Sequence, residues 1–264
     1  MAAGGAYFWD PSGHTVSTCR YAKNFWHLPL APGDDLADLT LPNGIRYRCL
    51  EPLTKYSLQY LDPDDGEVEV DLAFEAICEP NRLAGSHLDQ PGRYTGTLRI
   101  GAERIAVDSY GMRDRSWGPR SQFGVTLHPG APYSHGGYSY ATASPADAFH
   151  TITAEIGREL VSIHGFLLRD GTWSKLVEGR REVLDRNDGC PTRVAVRGRD
   201  ALGRRLEAEG RTLNRLGVHL NPNLWTWNCL TEWQWDGGRS GFGEDHDNWS
   251  AAAFRRFVRG ETGK

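Results

Sequence analysis

Apolar and polar residues alternate over several stretches of the chain. In residues 68–76 the apolar side chains of Val68, Val70, Leu72 and Phe74 are separated mostly by acidic ones, and residues 55–60 show the same period before a turn rich in Pro, Asp and Gly. A period of two is typical of a β-strand with one buried face and one solvated face. The two stretches therefore predict an antiparallel hairpin.

Similar strand pairs follow along the chain. Residues 97–107 contain one pair, residues 152–167 a second and residues 194–208 a third, each with a turn rich in Gly or Asp. Helical periodicity is almost absent, so we predict an all-β protein whose antiparallel sheets close into barrels or sandwiches. The exception is a short C-terminal helix at residues 250–258, with Ser250 as N-cap and Gly260 as the stop.

A late segment, residues 224–235, has an unusual distribution of tryptophans. If it forms one uninterrupted strand, four indoles point from the same face, those of Trp225, Trp227, Trp233 and Trp235. Such a face is either part of the hydrophobic core, because Trp buries a large area wherever it lies, or the wall of a ligand pocket.

Composition and charge narrow the function classes. The chain has 264 residues with 31 Gly, 14 Pro, nine Trp and only two Met, which favours β-structure with many turns. A net charge of −4 without like-charge blocks argues against a nucleic-acid partner. No apolar stretch approaches a membrane span, and five cysteines without a CxxC pair indicate reduced thiols, so we expect a cytoplasmic protein. Strand-like residues begin close to Met1, which suggests a start inside the first strand pair or a missing strand.

A charged segment at residues 111–120 lies in the middle of the chain, directly after a predicted strand. It places Arg113 and Arg115 on either side of Asp114 and ends in a corner that begins with Trp117. Asp114 is either a structural ion-pair partner that fixes a turn or a proton donor and acceptor. Flanking arginines would keep it ionised, whereas an apolar cavity against Trp117 would favour its protonated form.

Familiar catalytic and cofactor motifs are missing. The sequence contains no HExxH, GxSxG or phosphate-binding loop. Folding could bring together His87, His128, His135 and His150, but their spacing matches no metal motif, so we predict neither metal nor cofactor. His164 interrupts an apolar strand and reads as a core histidine. We interpret residues 244–247 as a cap for the helix, and we expect His135 and Tyr138, on a Gly- and Pro-rich loop, to line a pocket mouth.

The remaining chemistry is a carboxylate beside arginines together with aromatic surface. A protonated acid in an apolar cavity can protonate an alkene or a tertiary alcohol, and indole faces stabilise the resulting carbocation. Such a reaction requires no cofactor.

The run Asp114-Arg115-Ser116-Trp117-Gly118-Pro119-Arg120 resembles the D-x-x-W-G-x-R signature of the AttH-like proteins, the lipocalin-like family related to carotenoid 1,2-hydratase (hydroxyneurosporene synthase). The later Gly241-Phe242-Gly243-Glu244-Asp245 and Trp249 are similar to the G-[WF]-G-E element of that family. The similarity spans residues 7–249. This chain differs in having arginines on both sides of the aspartate and a shorter start.

The resemblance implies two calycin-like barrel or sandwich halves, residues 1–120 and 121–264, packed together with a cavity in or between them. Family members include hydratases of isoprenoid double bonds, a flavonoid hydratase and cyclases that promote Diels-Alder reactions. The resemblance makes Asp114 the candidate acid and Trp117 an aromatic wall.

We therefore predict a cofactor-independent hydratase, dehydratase or isomerase acting on a small apolar, isoprenoid-like alkene or alcohol. Asp114 would transfer the proton, Arg113 or Arg115 would position it, and the tryptophans would shape the cation site. Two alternatives are a non-enzymatic carrier of hydrophobic ligands and a cyclase that enforces a folded substrate. The sequence does not predict the oligomeric state.

Overall fold

The computed structural model describes residues 2–64, 66–117, 134–221 and 223–261. Over these ranges it contains 17 β-strands and one α-helix. The chain divides into two compact units, the first comprising Met1–Pro80 and Gln90–Arg113, the second Asn81–Asp89 and Asp114–Lys264. The predicted all-β class with a short C-terminal helix is confirmed. None of the helices found in the described ranges is long and apolar enough to cross a membrane.

The first unit is built from antiparallel sheet. Its strands are β1 (Ala2–Phe8), β2 (Tyr21–Leu28), β3 (Asp38–Thr40), β4 (Ile45–Glu51), β5 (Lys55–Leu61), β6 (Val68–Ala76) and most of β8 (His87–Ile100) and β9 (Glu103–Ser116). Strands β1 and β2 pair with each other, and the larger sheet has the order β3-β4-β5-β6-β8-β7 with β9 on β8, where β7 is Asn81–Leu83. The predicted hairpin is β5 and β6, with Tyr56 opposite Phe74.

The second unit contains a closed eight-stranded barrel. Its strands are β10 (His135–Ser144), β11 (Asp147–Ile156), β12 (Glu159–Arg169), β13 (Thr172–Asn187), β14 (Cys190–Asp200), β15 (Arg205–Asn221), β16 (Leu224–Trp235) and β17 (Arg239–Ser250). Each strand pairs antiparallel with the next, and β17 pairs with β10, which closes the barrel. Helix α1 (Ala251–Val258) follows β17, and the Ser250 hydroxyl accepts a hydrogen bond from the Ala253 N–H, the predicted N-cap.

The two faces of the barrel wall carry different side chains. Phe149 and Leu167 lie opposite each other on β11 and β12 and belong to the interior core. His150 and Phe166, the next pair in the same register, point to the outer face because side chains alternate along a strand. Both outer side chains are nevertheless fully buried.

Several local predictions were wrong because strands extend further than their turn signals suggested. Asp114 lies within β9, which continues to Ser116, beyond the predicted strand end at residue 107. His135 and Tyr138 lie in β10, whereas residues 127–133 of the predicted loop are outside the described ranges. Residues 244–247 lie in the middle of β17 and do not cap the helix.

Candidate functional site

A buried carboxylate, Asp89, is the centre of a polar cluster in the second unit. His87 and Asp89 lie two residues apart in β8, so their side chains share one face of the short hairpin with β7. His87 Nε2 is 2.8 Å from Asp89 Oδ2, and the Tyr138 hydroxyl donates to Asp89 Oδ1 at 2.6 Å. Burial alone would raise the pKa of Asp89, but His150, His87 and Tyr138 hold it below its ordinary value.

Two histidines from the outer face of the barrel complete the cluster. His150 Nδ1 lies 3.8 Å and His164 Nε2 3.6 Å from Asp89 Oδ2. Both ring nitrogens of His150 and Nε2 of His164 are buried and have no hydrogen-bond partner among the described residues. Burial lowers the pKa of His150 to about 4 and also lowers that of His164, so both imidazoles are neutral at neutral pH.

Asp114 connects this buried cluster to solvent. Its side chain is 49% exposed, and Oδ1 lies 3.5 Å from Nδ1 of His87, whose other nitrogen contacts Asp89. The four groups form a continuous series, from Asp114 at the surface through His87 and Asp89 to the buried hydroxyl of Tyr138. An imidazole between two carboxylates can donate to both only when it is protonated.

A second acid–base pair lies beside Tyr138. The ring of His246 stacks on that of Tyr138 at 5.2 Å, and His246 Nε2 is 3.1 Å from Oε2 of Glu244. Burial opposes the charged form, but Glu244 raises the pKa of His246 above its ordinary value, with smaller contributions from Asp245 and Asp114. Glu244 is the acid of the G-F-G-E element, so that element contributes to the same outer face.

A different charged network fills the barrel interior. Arg181 is fully buried; its Nε and Nη2 bind Asp245 at 2.9 and 2.5 Å, and its Nη1 binds Asp247 at 3.0 Å. Ser139 also donates to Asp245 at 2.6 Å. A Cβ at Gly137 would lie 2.7 Å from Cδ of Arg181, so a glycine here leaves room for the Arg181 side chain. Every charge in this network has an opposite charge in contact.

The network continues to one mouth of the barrel. Arg186 Nη1 and His135 Nε2 bind the two oxygens of Asp247 at 2.7 and 2.8 Å, and the His135 ring stacks on Trp249 at 3.6 Å. An open pocket of about 430 Å³ lies here, lined by Arg181, Arg186 and His135 among others. His135 thus lies beside this pocket, whereas Tyr138 points to the outer face.

The three residues predicted to act together at β9 are separated. Arg113 belongs to the first unit, where it hydrogen-bonds to Tyr47 at 3.1 Å and to Gln90 at 3.4 Å and lies over the Tyr56 ring at 4.1 Å. As the neighbour of Asp114 on a strand, it points to the opposite face. These contacts give Arg113 a structural role in the first unit.

The aromatic residues predicted to bind substrate also differ in their surroundings. Trp117 is 43% exposed, and the guanidinium of Arg115 lies 5.9 Å from its ring centroid. Strand β16 is uninterrupted and its four indoles share the inner face of the barrel. Trp233 and Trp235 pack edge-on against Phe149, and the other two pack with Cys190, Cys229 and Phe254. Their packing favours the core interpretation that the sequence left open.

Three important residues of the cluster had no role in the sequence prediction. The sequence pattern assigns no role to Asp89, predicts His164 as a core histidine and includes His150 only in a set of histidines that lacks metal-ligand spacing. One sequence signal could have identified them: each is an ionisable residue within a strand whose neighbouring positions are buried. His128, another member of that set, lies outside the described ranges.

The cluster contains two groups of three side chains whose donor atoms are close enough together to bind a metal ion. Asp89, His150 and His164 each place one donor atom within 4.8 Å of the others, and so do His87, Asp89 and Asp114. The first set is buried, whereas the second reaches the surface through Asp114.

The fold defines a class of protein. A closed up-and-down barrel of eight antiparallel strands is the architecture of lipocalin-like proteins. Residues 12–250 match the model of a family described as a domain of unknown function, DUF7064, and the chain belongs to this family.

Comparison with solved structures supports the same class. The crystal structure of kievitone hydratase from Nectria haematococca is similar to this chain, with a TM-score of 0.57 and 12% sequence identity over 88% of this chain and 75% of that chain. At this identity the likeness shows a shared fold. No curated protein sequence gives a significant match.

Proposed function

We propose that the protein is a hydro-lyase that adds water to, or removes it from, a small apolar alkene or alcohol of isoprenoid type, with Asp114 as the acid–base group. The observation that carries the proposal is the series Asp114, His87, Asp89 and Tyr138, which joins a half-exposed carboxylate to a buried one through an imidazole. The fold shared with a hydratase supports the reaction class.

In the hydration direction, the Asp114 carboxyl group transfers its proton to one alkene carbon, and the electron pair of the double bond forms the new C–H bond. Water adds to the carbocation, and its proton returns to the Asp114 carboxylate, so the enzyme is regenerated. Dehydration is the reverse. His87 lies at the right place to exchange a proton with Asp114 through Nδ1 between turnovers.

Trp117, three residues after Asp114, supplies exposed aromatic surface for an apolar substrate. Arg115, over the same ring, can position the substrate hydroxyl or water. The tryptophans of β16 belong to the barrel core and have no part in this proposal.

The test is turnover of a panel of prenyl-type alkenes and tertiary terpene alcohols in D₂O, with deuterium incorporation as the readout. The wild-type protein converts at least one member, and Asp114→Asn loses about 100-fold or more, the usual contribution of a general acid–base group. The matched control is Asp108→Asn on the same strand, a carboxylate paired with Arg93 at 2.6 Å. Full activity of folded Asp114→Asn would contradict the assignment. If that variant fails to fold, His87→Gln is expected to show the same loss.

A second candidate is a carrier without catalytic activity, which the open pocket at the barrel mouth favours. Its arginines suit an anionic ligand better than a hydrocarbon. Under this alternative no panel member yields product, and binding of a carboxylate ligand is lost in Arg186→Met but unchanged in Asp114→Asn.

A further inference from the structure

We infer that Asp89, His150 and His164 form a binding site for one divalent transition-metal ion of the zinc and iron(II) type. A metal site is separate from the proposed hydro-lyase activity, which uses Asp114 and His87 and no metal.

The donor atoms already have nearly the required spacing. Bonds of about 2.0–2.2 Å to nitrogen and carboxylate oxygen place neighbouring ligand atoms about 3–3.6 Å apart. Asp89 Oδ2 is 3.6 Å from Nε2 of His164 and 3.8 Å from Nδ1 of His150. The donor nitrogens of His150 and His164 lie within 4.8 Å of each other, so closure of the site requires the two imidazoles to move closer together.

The unpartnered nitrogens indicate a missing ligand. A buried imidazole nitrogen without a partner is costly, and His150 is fully buried with both nitrogens unpartnered among the described residues. His164 Nε2 is in the same situation and is directed to the same carboxylate. A cation between these three groups would satisfy one nitrogen of each histidine and the carboxylate together.

The groups behind the donors are those that metal sites use. A histidine ligand usually bonds through its second nitrogen to a backbone carbonyl or carboxylate, which fixes the ring. His164 has a backbone hydrogen-bond partner in Asn81 of β7. Asp89 is itself held by the Tyr138 hydroxyl and by His87, at 2.6 and 2.8 Å. Asp89 and His164 are therefore positioned by hydrogen bonds, whereas His150 is held by packing of its ring against Tyr138 and Phe166.

The donor set selects a class of ion. Two neutral imidazoles and one carboxylate suit zinc, iron(II) or cobalt(II), whereas calcium and magnesium prefer oxygen ligands. Three protein ligands leave at least one coordination position for water or another small ligand. His87 remains a hydrogen-bond partner of Asp89, so the series that leads to Asp114 is compatible with an occupied site.

The experiment uses the full chain, freed of metal by a chelator and then titrated with Co²⁺, with visible d–d absorption as the readout and Zn²⁺ competition as confirmation. The wild-type protein is expected to bind one Co²⁺ per chain. His150→Leu and His164→Leu are expected to bind at least about 100-fold more weakly, because each removes a ligand. His219→Gln, which changes an exposed histidine on β15, is the matched control and should bind as the wild type does.

Two results would overturn the inference: no stoichiometric Co²⁺ binding by the wild-type protein, or unchanged binding by both folded leucine variants. Asp114→Asn separates this inference from the proposed function, because it should still bind one Co²⁺ while losing turnover. A wild-type protein that turns over a panel member but binds no Co²⁺ would contradict the metal site alone. One that binds Co²⁺ but acts on no panel member would contradict only the proposed reaction.

Discussion

The barrel wall has a buried polar cluster on each face, and the two clusters differ in how their charges are balanced. Inside the barrel, Arg181 holds two aspartates with three hydrogen bonds. Outside, Asp89 is surrounded by histidines, of which His150 and His164 are neutral and have unpartnered nitrogens among the described residues. A satisfied network is typical of structural roles, whereas an unsatisfied one retained in a folded protein indicates function. We therefore propose that the inner cluster stabilises the fold and that the outer cluster carries the chemistry.

The largest expected effect is on the inner cluster. Arg181→Met leaves Asp245 and Asp247 buried without their cation, so we expect the free energy of unfolding to fall by about 3–5 kcal/mol. Urea denaturation measures this change. The control is Arg197→Met, whose ion pair with Glu182 lies on the surface and should contribute little. Equal losses in the two variants would contradict the structural role of the inner cluster.

The inner cluster also predicts how stability depends on pH. Burial would raise the pKa of Asp247, but Arg181, with His135 and Arg186, holds it well below its ordinary value. In the unfolded chain an aspartate has a pKa of about 3.9. The stabilisation by Asp247 is therefore complete above about pH 5 and is lost as the pH falls towards its native pKa.

Urea unfolding curves between pH 6 and about pH 3 test whether Asp247 causes this loss of stability at low pH. Asp247→Asn should be less stable than the wild type at pH 6 and should lose less further stability on acidification. Asp188→Asn changes an aspartate that is 81% exposed and serves as the control. A wild-type acid dependence reproduced fully by Asp247→Asn would show that this carboxylate is not responsible.

A smaller effect is expected where the outer cluster is satisfied. Tyr138→Phe removes the hydroxyl that donates to Asp89 at 2.6 Å, and a hydrogen bond to a charged group contributes about 1.5–3 kcal/mol. Thermal unfolding of Tyr138→Phe and Tyr140→Phe gives the comparison, because the Tyr140 hydroxyl lies 3.3 Å from a half-buried Glu244 and should contribute less. The reverse order would show that Asp89 does not depend on Tyr138.

The smallest loss of stability is expected at the helix N-cap, which lies outside both clusters and serves as a reference for them. Ser250→Ala removes the N-cap of α1 and should cost about 1 kcal/mol, with Ser250→Gly costing only a few tenths. Urea denaturation of both variants measures the difference. If the alanine variant costs as much as Arg181→Met, single-residue losses in this barrel do not distinguish the inner cluster from the rest of the fold.

Local pattern was enough to predict several strand pairs and the helix, although not β10 or β17. The alternation in residues 68–76 reports one buried face directly, and Ser250 with Gly260 defines the helix ends. The barrel closes because β17 pairs with β10, for example Ser139 with Asp245, which are 106 positions apart in the chain. Local periodicity carries no information about such distant pairs.

The candidate site was only partly predictable for a related reason. Asp114 and Tyr138 could be selected from their residue types and neighbours. Asp89, His150 and His164 become neighbours only when β8, β11 and β12 are brought together by the fold. The sequence places Arg113 and Arg115 next to Asp114, but adjacent residues on a strand point to opposite faces, so neighbours in sequence are not neighbours in the site.

The most direct test of the contrast between the clusters is the free energy of unfolding of metal-free His150→Leu. His150 is buried, neutral and unpartnered among the described residues, and leucine has a similar volume. If the outer cluster is retained for chemistry, this variant should be at least as stable as the metal-free wild-type protein. A loss of about 3–5 kcal/mol, as expected for Arg181→Met, would show that His150 serves the fold and would contradict the account.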